Sequence, residues 1–140
     1  MENFLVNGGV QTRHPMKTTE LVSTEGTTLV HDIPTPGMGH CNIKINESTI
    51  LIAGLNWRAK YSETYFQNIL TGDYVQGPVL DPPLMGRPWQ KASCGLVNFG
   101  NKPHAIIVSG IHKIVYALDL NDWTRGWKIN TYSRFSFYLK

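Results

Sequence analysis

The chain has 140 residues, 41% hydrophobic and 16% charged, enough for one domain with a real core and too apolar for a disordered segment. Its net charge of +3 comes from 13 Lys+Arg scattered against 10 Asp+Glu, so no basic run marks a nucleic-acid or membrane-surface patch. No apolar run approaches the roughly 20 residues of a spanning helix, and the N-terminus lacks the basic n-region and long apolar stretch of a signal peptide. A cytoplasmic chain, or a piece of a longer one, with no nucleic-acid or membrane partner is the expectation.

In chain order, Phe4-Leu5-Val6-Asn7-Gly8-Gly9 reads as a strand closed by a Gly pair. Val10 to Thr18 is a polar loop. Thr19 to Val22 and Thr27 to His31 are strands around a turn at Ser23-Thr24-Glu25-Gly26, and Ile33-Pro34-Thr35-Pro36-Gly37 is a breaker-rich connection. Cys41, Ile43 and Ile45 then alternate with Asn42 and Lys44, the period of a half-buried strand, and Asn46-Glu47-Ser48 supplies the turn. Thr49 to Ile52 is an apolar, β-branched run suited to a strand covered on both faces, ended by Ala53-Gly54.

A loop from Asn56 to Glu63 leads to strands at Thr64 to Leu70 and Tyr74 to Gln76, then to a Pro/Gly-rich connection from Gly77 to Ala92. Ala92 to Phe99 and His104 to Ile111 repeat the earlier hairpin with a longer turn. In this reading Cys41 matches Cys94, and Gly8-Gly9 matches Ala53-Gly54 and Ser109-Gly110. Ile114 to Leu118 is a further strand, and Trp123-Thr124-Arg125 another, with Trp123 falling 49 residues after Tyr74. The tail from Asn130 alternates aromatic and polar residues. No helical periodicity occurs anywhere.

Four short strands recurring about every 50 residues resemble the kelch repeat, one blade of a β-propeller. The residues carrying the resemblance are Gly8-Gly9, Gly39-His40-Cys41, Gly54, Tyr65 to Tyr74, Cys94, Gly110, and Tyr116 to Trp123. The resemblance implies an all-β fold of four-stranded antiparallel blades in an incomplete ring. Residues 1–36 form a partial first blade, 37–85 the second, 86–129 the third, and 130–140 a tail. It also implies that Trp123, like Tyr74, is the anchoring aromatic of a fourth strand, and that His40 is packed within the blade. Only Gly8-Gly9 keeps the family's full Gly pair. A closed propeller has about four to eight blades, so self-association is one way to complete the ring.

Cys41 and Cys94, at matched positions on neighbouring units, are expected to be small buried hydrophobes; a bridge needs Cα atoms within about 7 Å. The histidines His14, His31, His40, His104 and His112 lack metal-ligand spacing, and neither a nucleophile motif nor a phosphate loop is present. No metal and no cofactor are expected. Asp73 and Asp122 are turn residues. Asn46-Glu47-Ser48 matches the N-glycosylation pattern but is expected to stay unmodified in a cytoplasmic chain.

The loops of one end collect Arg13, His14, Trp57, Arg58, Lys60, Arg87 and Trp89, with Lys91, His112 and Lys113, and Trp and Arg are enriched at interface hot spots. The expected function is a non-catalytic module that binds a protein partner through these loops. The alternatives are a fragment of a copper-oxidase-like propeller enzyme and a truncated, non-functional product.

Overall fold

The computed structural model describes residues 4–8, 10–11, 14–37, 39–84, 92–109 and 113–131. It is all-β: three antiparallel sheets of three or four strands, plus a small hairpin, with no α-helix among the described residues. The first sheet holds β1 (Phe4–Asn7), β4 (Thr19–Ser23) and β5 (Gly26–Leu29), and between β1 and β4 lies a hairpin of β2 (Val10–Gln11) and β3 (His14–Pro15). The second sheet runs in order through β6 (Cys41–Lys44), β7 (Thr49–Leu55), β8 (Glu63–Asn68) and β9 (Tyr74–Gln76). The third does the same through β10 (Ala92–Phe99), β11 (Lys102–Ser109), β12 (Ile114–Asp119) and β13 (Lys128–Thr131). The sheets stack face to face, do not close on one another, and bring the leading strands β6 and β10 together.

Strand alternation explains the stack. Successive side chains of β7 point to opposite faces, so Ile50 and Ile52 pack with Leu5, Ile33 and Tyr65 toward the first sheet. Leu51 and Ala53 point the other way, onto Ala105, Leu118, Ile107 and Tyr116 of the third. Leu51, Ile52, Ala53 and Leu55 are all 0% exposed, as the apolar run of the sequence requires of a strand covered on both sides. Each such Leu or Ile contributes roughly 1.5–3 kcal/mol by leaving water.

The first two sheets share one hydrogen-bond pattern. Val30 N–H donates to Thr19 O at 3.0 Å and Gly77 N–H to Thr64 O at 2.8 Å; Ile33 N–H reaches Lys17 O and Leu80 N–H Ser62 O, both at 2.8 Å. Thr19 therefore corresponds to Thr64. Since Thr19 pairs with Asn7 and Thr64 with Ala53, Asn7 corresponds to Ala53 and Gly8 to Gly54. Both glycines have positive φ, +70° and +93°. The match of Gly8-Gly9 to Ala53-Gly54 made from sequence is thus one residue out; Gly9 and Gly110 themselves lie outside the described residues.

The third sheet corrects two further matches. Tyr65 pairs with Ile52 and Gln76, and Tyr116 with Ile107 and Ile129. Both tyrosines face the preceding sheet, so Ile52 corresponds to Ile107 and Asn42, opposite Ile52, to Cys94, opposite Ile107. Cys41 and Cys94 are not equivalent.

By the same pairing Trp127 corresponds to Tyr74. Tyr65 meets Tyr74 edge to face with ring centroids 5.5 Å apart, and Tyr116 meets Trp127 edge to face at 6.4 Å. Trp123, expected on a strand, instead opens a 3₁₀ turn, Trp123–Arg125, and lies against Phe66 at 5.1 Å. A gap-free alignment missed this because the connection after β12 is longer than that after β8.

Trp127 is the better anchored of the two. Its indole N–H donates to Thr64 Oγ1 at 3.3 Å and Pro78 O at 3.2 Å, and its ring touches both cores between the second and third sheets. Replacing a packed Trp by Ala costs about 3–5 kcal/mol. Trp127→Ala is expected to lower the denaturant midpoint more than Trp123→Ala, read by urea unfolding of the two variants side by side.

Candidate functional site

Three chain segments meet at one end of the first two sheets. The connection at 33–37 threads between the start of β4 and the β7–β8 loop: Gly37 N–H donates to Met16 O at 3.0 Å and Asn56 N–H to Pro36 O at 3.3 Å. The loop itself, Asn56 to Ser62, is stiff. Asn56, Lys60 and Tyr61 all have positive φ, at 71°, 54° and 59°. Such backbone costs of order 1–3 kcal/mol per residue and persists only where the surroundings over-determine it.

Here Asn56 does much of that. Its carbonyl accepts from Ala59 N–H at 3.0 Å and Tyr61 N–H at 2.9 Å, and its side-chain Oδ1 accepts from Arg58 N–H at 3.1 Å. Tyr61 plugs the core at 8% exposure, and burial raises its phenol pKa. Arg58 and Lys60 are exposed on this loop. Trp57 begins the loop's 3₁₀ turn, Trp57–Ala59, and His14 lies in β3. Lys113, also exposed and at φ 52°, stands just before β12 in the third sheet. Arg13, Arg87, Trp89, Lys91 and His112 lie outside the described residues.

Beneath this end sits a polar junction that sequence reasoning did not find. Asn7, at the end of β1, and Asn42, on β6, exchange side-chain hydrogen bonds: Asn42 Nδ2 donates to Asn7 Oδ1 at 2.7 Å and Asn7 Nδ2 to Asn42 Oδ1 at 3.1 Å. His40 adds its Nε2–H to Asn7 Oδ1. Its other ring nitrogen, Nδ1, is buried without a hydrogen-bond partner. Glycines make the room: a Cβ on Gly8 would meet the carbonyl oxygen of Gly37 at 2.5 Å and strike the imidazole. Burial lowers the His40 pKa to about 4, so the ring is neutral at physiological pH and works as a fixed donor.

At the next junction the position corresponding to Asn42 holds one end of a covalent link. Cys41 and Cys94 form a disulfide with Cα atoms 6.1 Å apart, joining β6 to β10. The expectation of two separate buried hydrophobes is corrected, and the register gives the reason. Cys94 corresponds to Asn42, one position away from Cys41, and one residue along a strand reverses the face. Cys94 therefore points back at the second sheet while Cys41 points forward at the third. Cys41 is 2% exposed and Cys94 is open to solvent.

Two tyrosines are also perturbed. Tyr65 is raised by burial, by its hydrogen bond to Glu63 Oε1 at 2.6 Å, and by the nearby negative charge. Tyr116 is raised by burial and by Asp81, and its hydroxyl donates to Pro82 O at 2.7 Å. Among the described residues no group of three or more His, Cys, Asp or Glu side chains is placed to hold a metal, and no helix is long and apolar enough to cross a membrane. The chain matches no protein-family model and no curated protein.

The His40 seat carries a pH dependence whose sign follows from linkage. In the unfolded chain the imidazole titrates near 6.5, and in the folded chain near 4. Between those values the unfolded state binds more protons, so stability is full above 6.5 and falls as pH drops toward 4. The loss is at most about 3 kcal/mol. His40→Gln is expected to flatten this part of a stability-against-pH curve, measured by chemical denaturation at a series of pH values.

The bridge closes a separation of 53 residues, worth about 4 kcal/mol by chain entropy alone. Reductant is expected to lower the unfolding midpoint of the native sequence and to leave that of Cys94→Ala unmoved.

Proposed function

We propose that the chain is a kelch-like partial propeller that binds a protein partner through the loop end of its sheets and carries out no catalysis. The reading rests on the recurrence of four-stranded antiparallel units with matched loops, and on the kelch-like pattern of the sequence. The single observation that carries it is the β7–β8 loop. Its strained backbone is fixed by Asn56 and buried Tyr61, and it presents exposed Arg58 and Lys60 without needing to be ordered on binding. A preorganised loop saves the ordering cost that a flexible one incurs. Its cationic side chains fit an acidic patch on the partner.

Self-association belongs to the same reading. The far faces of the first and third sheets expose Phe4 at 65%, Val6 at 55% and Phe99 at 54%, apolar surface that a second copy would cover. A cytosolic setting is not part of it, since a disulfide joins the second and third sheets.

The test is affinity capture with the full chain as bait against the same bait carrying Arg58→Glu and Lys60→Glu. Loss of the two charges is expected to weaken capture of an acidic partner about tenfold, the effect of roughly 1.4 kcal/mol, with an unchanged unfolding midpoint. Equal capture by both baits would refute the assignment of this loop.

A further inference from the structure

We propose that Asn46 is a site of N-linked glycosylation and that the chain matures in an oxidising secretory compartment. Two observations from separate parts of the molecule converge on it. The first is the Cys41–Cys94 disulfide, which takes up both cysteines of the sequence. Cytosolic thiols are held reduced, whereas bridges form and persist along the secretory route.

The second is the acceptor itself. Asn46-Glu47-Ser48 is the one N-x-S/T triplet in the 140 residues, and the fold places it at the tip of the β6–β7 hairpin. Asn46 is exposed, and the Glu47 side chain beside it is 96% exposed. Asn46 Oδ1 accepts from Ser48 N–H at 3.0 Å, Thr49 N–H at 2.9 Å and the Ser48 hydroxyl at 3.2 Å. All three bonds fall on Oδ1 and none on Nδ2, the atom that is glycosylated. A sugar on Nδ2 leaves the turn intact.

In the transfer, Asn46 Nδ2 attacks the anomeric carbon of a polyprenyl-pyrophosphate-linked oligosaccharide, the donor used by the glycosylating enzyme of the compartment. The new bond is C1–Nδ2, the bond broken is C1–O to pyrophosphate, the amide gives up one proton, and the polyprenyl pyrophosphate leaves. No oxidant or reductant is required.

The position is compatible with partner binding. Consecutive antiparallel strands turn at opposite ends, so a glycan on the β6–β7 turn sits away from Arg58 and Lys60 on the β7–β8 loop. It would stand over the β8–β9 turn, where Ile69 N–H bonds Ser48 O at 2.8 Å and Leu70 is 72% exposed. Covering an exposed Leu with a hydrophilic sugar favours solubility.

The experiment takes the full chain from its native cells and measures intact mass before and after peptide N-glycosidase treatment, with thiols alkylated without reduction. The expected result is a heavier species that collapses on treatment to one glycan-free mass, deamidated at Asn46, with Cys41 and Cys94 protected from alkylation. In secretory expression, Asn46→Gln and Ser48→Ala should each abolish the shift, and Ser48→Thr should keep it. Ser48→Ala retains the two backbone bonds to Asn46 Oδ1, so it decides the matter if Asn46→Gln fails to fold. A native chain at its unmodified 15.8 kDa overturns the Asn46 assignment whether or not the bridge is formed. Alkylation of both cysteines without reductant overturns the compartment, and a glycan shift that survives Ser48→Ala places the sugar elsewhere.

Discussion

Strand β7 has to be dry on both faces, and the rest of the structure follows from that. Its backbone groups are satisfied by β6 on one side and β8 on the other, but its side chains need two further surfaces. Ile50 and Ile52 require a first sheet and Leu51 and Ala53 a third. A lone four-stranded sheet with this sequence would leave both faces wet. Three stacked units are the smallest arrangement that gives one of them a complete environment. The outer units bear the cost: Leu29 at 72% exposure and Val97 at 40% occupy faces with no neighbour among the described residues.

Hydrophobic stacking does not by itself fix how two sheets are aligned, and the two junctions solve that differently. Between the first and second sheets, Asn7, Asn42 and His40 form a directional polar clasp, part-buried at His40 and exposed between the two asparagines. Because these hydrogen bonds are directional, the clasp favours one alignment over its neighbours. Between the second and third, the position corresponding to Asn42 is Cys94, and the clasp is covalent. The polar junction weakens in acid because His40 resists protonation, whereas the covalent one weakens under reducing conditions. The same location in successive units thus responds to two different chemical conditions.

Most strand positions were legible because β-branched, period-2 segments between Gly, Pro and Asn turns have few other folds open to them; the short β2–β3 hairpin, read as a loop, and Trp123–Arg125, a 3₁₀ turn read as a strand, lack that pattern. β7 in particular declared itself by its unbroken apolar run. Register was not legible. The β10–β11 hairpin is longer than β6–β7 because its strands run further before a two-residue turn, and the connection before β13 is longer than the one before β9. A gap-free match absorbs such insertions by sliding, and a slide of one residue exchanges the two faces of a strand. That is why Cys41 and Cys94 read as equivalent and remote when they are inequivalent and bonded, and why Trp123 stood in for Trp127. The aromatic on the fourth strand is identified by the Tyr it packs against, Tyr65 or Tyr116, which only the pairing reveals. Asn7 and Asn42 carried no signal at all, being 35 residues apart and ordinary as turn and strand residues.

The two ends of the second sheet are built to different standards, and that difference bears on function. At the β7–β8 end, left-handed backbone at Asn56, Lys60 and Tyr61 is held against its own preference by a buried ring and a web of bonds to one asparagine. Proteins retain such strain where the geometry of what is presented matters; here that is the direction of Arg58 and Lys60. At the β6–β7 end, Asn46 makes an unstrained turn by accepting from Ser48 and Thr49, which asks nothing of the core. A surface that must meet a partner in one orientation needs the first kind of support. A surface that must only tolerate a bulky substituent is served by the second, because nothing packed against it has to move when the substituent arrives.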